Sequence, residues 1–206
     1  MILFALIATA FAPAAASAAC GNVEQGKAKE SRGDGRPPVA VGDSVMLGAL
    51  GNLARAGFDV DARVCRQMDE GVDVLRARKR AGRLPRVAVI ALGTNGVVTT
   101  RDIRRAMRVM GPERVLGLVT PRETGGVSSA DQARIRAAGR RWPRRVRVLD
   151  WVRHSRGHGS WLGGDGLHLG AAGARGFTRL LARAIKWTVT PPEEDGGAPP
   201  IEPAAA

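Results

Sequence analysis

The chain alternates short apolar runs with amphipathic stretches, and this alternation limits the folds open to it. The runs, rich in valine and other apolar residues, lie at 38–41, 60–64, 87–92, 115–120 and 146–149. They lack the regular polar–apolar alternation of half-exposed strands, which is typical of strands covered on both faces. We therefore predict βαβ units that form a three-layer α/β/α sandwich around a five-stranded parallel sheet.

An amphipathic stretch follows each predicted strand. The predicted helices cover 45–56, 71–81, 101–110 and 129–141, and a last helix includes 177–185. In the third helix, apolar side chains repeat at i, i+3, i+4 and i+7 from Ile103, which places them on one face. Because ligands of such sheets bind beyond the carboxyl ends of the strands, polar residues that follow the strands are candidates for a functional site.

The two ends of the chain differ in composition from its middle. Residues 1–19 are uncharged and apolar and end in small residues, which predicts a signal peptide or, since a basic start is missing, an uncleaved membrane anchor. We interpret 20–36 as a linker, 37–188 as the folded domain and 189–206 as a disordered acidic Pro/Ala-rich tail. The protein is therefore expected to be secreted or otherwise extracytoplasmic, and tethered to a membrane if 1–19 is an anchor.

The formal net charge is +13, but the arginines are scattered through the predicted helices without interleaved aromatic residues. No zinc-finger spacing is present, so we expect no nucleic-acid partner, whereas an anionic cell-envelope polymer fits the charge equally well. The two cysteines, Cys20 and Cys65, match no metal motif. They leave three states open: a Cys20–Cys65 bridge, a lipid on Cys20, or two unpaired thiols. No metal site is predicted.

Gly42-Asp43-Ser44 comes directly after the first predicted strand and at the start of the first predicted helix. A hydroxyl there is a candidate nucleophile, because free N–H groups of a helix N-terminus stabilise the negative charge that develops during attack. Asp and Ser are also ordinary N-cap residues, so the motif alone does not decide between the two roles.

Two further motifs supply the remaining groups of an acyl-transfer site. Gly93-Thr94-Asn95-Gly96 follows the third predicted strand, where Asn95 is either an oxyanion donor or part of a plain turn. Asp165 and His168 lie three residues apart before the last helix, a spacing that lets the carboxylate orient the imidazole as a general base. Together the motifs give a nucleophile, an oxyanion donor and a base with its orienting group.

In this order the motifs resemble blocks I, III and V of the SGNH hydrolase superfamily, and the resemblance covers about 38–187. The sequence is most similar to the extracytoplasmic domains of acyltransferase-3 proteins, including peptidoglycan O-acetyltransferases. The likeness rests on Gly42-Asp43-Ser44-Val45-Met46-Leu47-Gly48, on 60–67, on 91–96, and on Trp161 ahead of Asp165-Gly166-Leu167-His168-Leu169. It implies a flavodoxin-like fold and transfer or removal of acetyl groups on carbohydrate.

The resemblance also implies roles for single residues. Ser44, His168 and Asp165 would form a triad, and the N–H groups of Ser44 and Cys65 with Asn95 would form the oxyanion hole. Cys65 stands where the family usually has a glycine. Gly42, Asp43, Gly93, Thr94 and Trp161 would support the motifs, Trp161 either by packing under the catalytic loop or by lining the acyl site.

We therefore expect a serine esterase or acyl-transfer enzyme that acts on O-acyl, above all O-acetyl, groups of cell-envelope carbohydrate. It is expected to need no cofactor and to be a monomer. Because this sequence has no multi-span domain, hydrolysis is favoured over transfer, unless a separate membrane protein supplies the acyl donor. The alternatives are a catalytically silent glycan-binding module and an arginine-rich binder of anionic polymers.

Overall fold

The computed structural model describes residues 20–29, 35–122 and 129–188. The predicted signal or anchor segment and the predicted tail lie outside the described residues, as does part of the predicted linker. Within the described ranges, no helix is long and apolar enough to cross a membrane.

The described residues form one sheet with helices on both faces. Its strands are β1 (Glu24–Gly26), β2 (Val39–Gly42), β3 (Asp59–Ala62), β4 (Val87–Ala91), β5 (Val115–Val119) and β6 (Val146–Leu149). The strand order is β1-β3-β2-β4-β5-β6, and every pairing from β3 to β6 is parallel. The predicted sandwich with a parallel sheet is thus confirmed.

The prediction of five strands is wrong, because β1 adds a sixth strand, antiparallel to β3, at one edge of the sheet. β1 lies within the segment interpreted as a linker. Two of its three residues are exposed, so it has no hydrophobic run that sequence reasoning could detect. Short polar strands are a usual way to end a sheet without exposing a long pairing edge.

The described ranges contain seven α-helices. They are α1 (Ser44–Leu47), α2 (Leu50–Arg55), α3 (Met68–Arg80), α4 (Thr100–Met110), α5 (Ala130–Arg141), α6 (Trp151–His154) and α7 (Ala171–Leu181), with 3-10 turns at Gly159–Trp161 and Ala182–Thr188. The helix predicted over 45–56 is two helices, because the chain turns at Gly48 and Ala49 before α2 begins.

Two hydrophobic clusters cover the two faces of the sheet. One consists of side chains from α3, α4 and α5 and includes Leu75, Ile103 and Ile135. The other consists of side chains from α1, α2, α6 and α7 and includes Met46 and Phe177. Because both faces are covered, the central strands β2, β4 and β5 have continuous apolar sequences.

The sheet topology places the functional motifs at one edge. β2 pairs with β3 on one side and with β4 on the other, so the chain changes direction across the sheet between β2 and β4. A crevice forms beyond the carboxyl ends of strands at such a switch point. Gly42-Asp43-Ser44 follows β2, and Gly93-Thr94-Asn95 follows β4, so both motifs border this crevice.

Candidate active site

Ser44 is the first residue of α1 and lies on a tight turn between β2 and that helix. Asp43 caps the helix, since its Oδ1 accepts a hydrogen bond from the N–H of Val45 at 3.0 Å. Gly42 makes the turn possible, because a Cβ there would lie 2.5 Å from the Cβ of Met46. The strand–turn–helix geometry thus presents the Ser44 hydroxyl at the sheet edge.

Ser44, His168 and Asp165 form a continuous hydrogen-bonded row. The Nε2 of His168 lies 3.0 Å from the Oγ of Ser44, and its Nδ1 lies 2.5 Å from the Oδ2 of Asp165. With the proton on Nδ1, the ring donates to the carboxylate and leaves Nε2 free to accept from the serine hydroxyl. The structure therefore brings together the three side chains that the sequence proposed.

The loop with Asp165 and His168 is shaped by its own carboxylate. Asp165 Oδ1 accepts from the N–H groups of Leu167 at 2.9 Å and His168 at 3.0 Å, while Oδ2 faces the imidazole. These hydrogen bonds lower the pKa of Asp165 to about 2, the largest contribution coming from His168. Asp165 is therefore ionised at neutral pH and able to stabilise an imidazolium.

Hydrogen bonds from other segments hold this loop in place. The N–H of Gly163 donates to the carbonyl of His168 at 2.8 Å, and the N–H of Gly170 donates to the carbonyl of Trp161 at 2.9 Å. Arg122, which follows β5, donates from Nε to the carbonyl of Gly166 at 3.2 Å. Sequence reasoning missed Arg122, because a single arginine after a strand has no pattern that distinguishes it from a surface residue.

Trp161 packs beneath the same loop. Its ring stacks on His158 with 4.0 Å between centroids and on Trp151 with 5.8 Å, and the Arg179 guanidinium lies 5.6 Å from it. The ring is therefore held among protein side chains. Of the two roles considered for Trp161, packing describes its position.

Asp43 is almost fully buried behind Ser44, at 1% exposure. Burial raises its pKa to about 6, although hydrogen bonds from Val45 N–H and the Thr94 side chain oppose this effect. Its Oδ2 also accepts from Asn95 Nδ2 at 3.4 Å. Asp43 thus connects the turn after β2 to the turn after β4.

The three candidate oxyanion donors belong to neighbouring turns. Asn95 is exposed on the turn after β4, and Cys65 lies in the loop after β3, called here the β3 loop (63–66). The N–H groups of Ser44 and Cys65 have no acceptor among the described residues, so both are free to bind an oxygen. Cys65 has φ 59, the left-handed conformation that suits the glycine expected at this position.

A buried arginine links the β3 loop to the turn that carries Ser44. Arg66, 2% exposed, donates from Nη1 to the carbonyl of Gly42 at 3.2 Å and pairs through Nη2 with Asp61 Oδ1 at 2.6 Å. The N–H of Arg63 donates to the same Gly42 carbonyl. Arg66 is thus a structural residue behind the site.

The row itself is open to solvent. The side chains of His168 and Asp165 are 49% and 50% exposed. Behind the row lies a small cavity of about 20 Å³. Its walls are mainly apolar and include Val45, Leu92, Trp151 and Leu167. The polar members of the lining are Asp43, Thr94, Thr120 and Arg122. A reacting group on a large molecule can therefore reach Ser44 from outside.

Among the described residues, no group of three or more His, Cys, Asp or Glu side chains is arranged to hold a metal ion. His154 and His158, which flank the loop before Trp161, pack in the aromatic cluster instead. The groups available for chemistry at this edge are thus a hydroxyl, an imidazole, a carboxylate and hydrogen-bond donors.

Comparison with known proteins supports this description, although no protein-family model matches the chain. The chain is 28% identical over 149 residues to the peptidoglycan O-acetyltransferase OatA of Listeria monocytogenes, covering 71% of the chain. It is 26% identical over 159 residues to the O-acetyltransferase OatA of Staphylococcus aureus, covering 74% of the chain. It spans about a quarter of the length of these relatives, 24% and 26% respectively.

Solved structures show the same fold. The C-terminal catalytic domain of Streptococcus pneumoniae peptidoglycan O-acetyltransferase A, with a methylsulfonyl adduct, superposes with a TM-score of 0.64 at 23% identity, covering 78% of this chain and 98% of that domain. A lipase/acylhydrolase from Enterococcus faecalis matches with a TM-score of 0.56 at 19% identity, covering 77% and 100%. The chain thus has the SGNH hydrolase fold, and the resemblance to the peptidoglycan O-acetyltransferases is confirmed.

Proposed function

We propose that this protein is a serine esterase or acyl-transfer enzyme that acts on O-acetyl groups of cell-envelope carbohydrate. The observation that supports this most is the hydrogen-bonded row of Ser44 Oγ, His168 and Asp165 at the switch point of the sheet. The similarity to proteins named as O-acetyltransferases supports the acetyl group as the acyl unit.

The reaction would proceed in two steps. Ser44 Oγ attacks the ester carbonyl while His168 Nε2 takes the hydroxyl proton, and the resulting imidazolium is stabilised by the Asp165 carboxylate. The N–H groups of Ser44 and Cys65, with Asn95 Nδ2, would hold the oxyanion. His168 then returns the proton to the leaving alcohol, and an acyl-Ser44 intermediate remains.

The second step depends on the acceptor. If water attacks the acyl-serine, the product is a free acid and the enzyme is an esterase. If a sugar hydroxyl attacks, the acyl group moves to carbohydrate. The acyl donor would then have to be supplied to the open face of the site, which a partner membrane protein could do. Both reactions use the same residues, so the acceptor must be measured.

The open site supports a large substrate. Because the His168 and Asp165 side chains are about half exposed, an ester on a polymer can reach Ser44 without entering a deep tunnel. Peptidoglycan is the polymer named for the Listeria relative. We also propose an extracytoplasmic location. It is supported by the similarity to a peptidoglycan O-acetyltransferase and by the apolar segment 1–19, which has the pattern of an export signal.

The first test is nucleophile labelling. The full chain is incubated with a fluorophosphonate, and peptide mass spectrometry locates the adduct. Labelling at Ser44, its loss in Ser44→Ala and its retention in Ser160→Ala, an exposed serine of the loop before Trp161, is the expected result. An unlabelled Ser44 in folded protein would contradict an assembled site.

The second test separates catalysis from binding. Hydrolysis of p-nitrophenyl acetate and acetate release from O-acetylated peptidoglycan are measured for the natural protein and for Ser44→Ala. Equal rates would favour a catalytically silent glycan-binding module. Transfer is measured separately, with an acetyl donor and an unacetylated glycan acceptor, by the mass of the glycan. Steeply salt-dependent retention on heparin without acetate release would favour an anionic-polymer binder.

A further inference from the structure

The only two cysteines of the chain lie side by side in the structure. The Cys65 thiol lies close enough to the Cys20 thiol to interact with it, and this interaction raises the pKa of Cys65. Both residues are partly exposed and are reduced in the structure. Their contact is therefore open to reagents from solvent, and nothing in the proposed acyl transfer requires either thiol.

The edge strand explains why these distant residues meet. β1 runs antiparallel to β3, with Glu24 opposite Ala62 and Gly26 opposite Val60. In an antiparallel pair, the chain before one strand runs beside the chain after the other. Gly21 accordingly lies close to Val64, since a Cβ at Gly21 would be 3.9 Å from Val64 Cγ2. Strand pairing and thiol contact thus place the same two segments together.

The backbone at Cys65 is a second unusual feature. Its φ of 59 is in the left-handed region, and Cys65 is the only non-glycine residue with a positive φ in the described ranges. Such conformations cost free energy for residues with a Cβ and persist where the surroundings hold them. The proposed chemistry needs only the backbone N–H at this position, so it does not explain why a cysteine stands there despite the cost in free energy.

We propose that Cys20 and Cys65 form a disulfide that joins the segment before β1 to the β3 loop and restrains the candidate oxyanion donor Cys65. The disulfide through Cys20 would then hold the edge strand β1 against the rest of the sheet. The bond goes beyond the acyl-transfer proposal, because it forms and can be measured whether or not the protein is an enzyme. It also excludes a lipid on the Cys20 thiol in the same molecule.

The oxidation needs a disulfide as electron acceptor, either a thiol–disulfide oxidoreductase or a small-molecule disulfide. One cysteine thiolate attacks the acceptor and releases a thiolate, which gives a mixed disulfide. The second cysteine thiolate displaces the remaining half, so the Cys20–Cys65 bond forms and the acceptor is released in its reduced form, as a dithiol enzyme or as two thiol molecules. Two electrons pass to the acceptor, and the cysteine protons pass to the released thiolates.

The position of the bond gives it a consequence for the site. The β3 loop is joined to the turn that carries Ser44 through the Gly42 carbonyl, which accepts hydrogen bonds from Arg63 N–H and from Arg66 Nη1. β1 has three residues and pairs with β3 alone, so few backbone hydrogen bonds hold it. A disulfide between Cys20, which precedes β1, and Cys65 in the β3 loop restrains both the strand and the loop.

Thiol mapping tests the bond directly. Full-chain protein is equilibrated with oxidised and reduced glutathione, alkylated with iodoacetamide with and without prior reduction, and mapped by mass spectrometry. A Cys20–Cys65 cross-linked peptide, with alkylation of both cysteines only after reduction, is the expected result. Two alkylated cysteines without reduction, a stable glutathione adduct on either one, or a lipid-modified Cys20 in protein from its native host would overturn the proposal.

Thermal unfolding tests the restraint. Reduction is expected to lower the Tm of the oxidised protein by about 5–15 °C. Cys20→Ser, whose serine keeps the shape of the side chain, should have a Tm close to that of the reduced protein. Its Tm should not change when reductant is added. A cross-linked protein whose Tm does not change on reduction would overturn the restraining role. If the bond forms and no acetate is released from any ester, the acyl-transfer proposal fails and this one stands.

Discussion

The Nε2 of His168 lies 3.0 Å from the Oγ of Ser44, although 124 positions separate the two residues in the chain. Ser44 begins α1 at the carboxyl end of β2, and His168 lies in the loop that precedes α7. The sheet brings these ends together, because helices α1 and α7 pack in the same hydrophobic cluster on one of its faces. The contact is therefore a product of the whole fold.

Asp165→Asn tests the row. The amide cannot stabilise the imidazolium and favours the wrong imidazole tautomer, so kcat for p-nitrophenyl acetate should fall by about 10²–10⁴ with little change in KM. Asp73→Asn, at an exposed carboxylate on α3, is the control and should keep the natural rate. Steady-state kinetics at neutral pH provide the measurement, and an unchanged kcat for Asp165→Asn would remove Asp165 from the mechanism.

Asn95→Ala removes one of the proposed oxyanion donors. We expect kcat to fall by about 10²–10³, because the donor acts on charge that develops only in the transition state. Asn95 is exposed and makes one long hydrogen bond, to Asp43, so the Tm of the variant should differ little from that of the natural protein. Val97→Ala, at the exposed Val97 on the same turn, is the matched control. If Asn95→Ala failed to fold, instead of folding with a reduced kcat, Asn95 would be a structural residue.

Asp43 should make the stability depend on pH. Its pKa is raised from 3.8 to about 6 by burial, so the folded protein binds this proton more tightly than the unfolded chain does. Its contribution is therefore complete below about pH 4 and is lost as the pH rises through about 6. By linkage, the free energy of unfolding should fall by about 2–3 kcal/mol over this range.

Urea unfolding between pH 4 and 7 measures this effect by comparing the natural protein with Asp43→Asn. Asparagine keeps an oxygen that can accept from Val45 N–H but has no charge to bury, so the difference in stability between the two proteins should change across this window. Asp73→Asn provides the control for an exposed carboxylate. A difference that stays constant with pH would mean that Asp43 does not titrate there.

Gly173→Ala should disturb the loop that holds His168. A Cβ at Gly173 would lie 1.9 Å from the backbone carbonyl oxygen of Trp161, which cannot move independently of that loop. We expect a loss of several kcal/mol in unfolding free energy or a displaced loop with reduced activity. Gly159→Ala is the control, because a Cβ there meets nothing within 4 Å. Chemical unfolding and ester hydrolysis of both variants test this, and equal stability would contradict the close packing.

Sequence reasoning predicted the elements that rest on local patterns. β2, β4 and β5 are continuous apolar runs, and α4 has the apolar stripe that begins at Ile103. β1 was missed, because a three-residue polar edge strand has no such pattern and depends on β3 for its hydrogen bonds. The turn at Gly48 was missed for a similar reason: Gly48 packs against Leu169, which is distant in sequence.

The sequence by itself determined which chemical groups this protein has and that they follow strands or precede helices, because strand and helix patterns are local. It therefore identified Ser44, Asn95, Asp165 and His168 as candidates. Only the tertiary structure decided that Ser44 and His168 meet, that Asp43 and Arg66 are buried behind them, and that Cys20 lies against Cys65. Distances and burial between remote segments depend on strand order and packing, which no local pattern encodes.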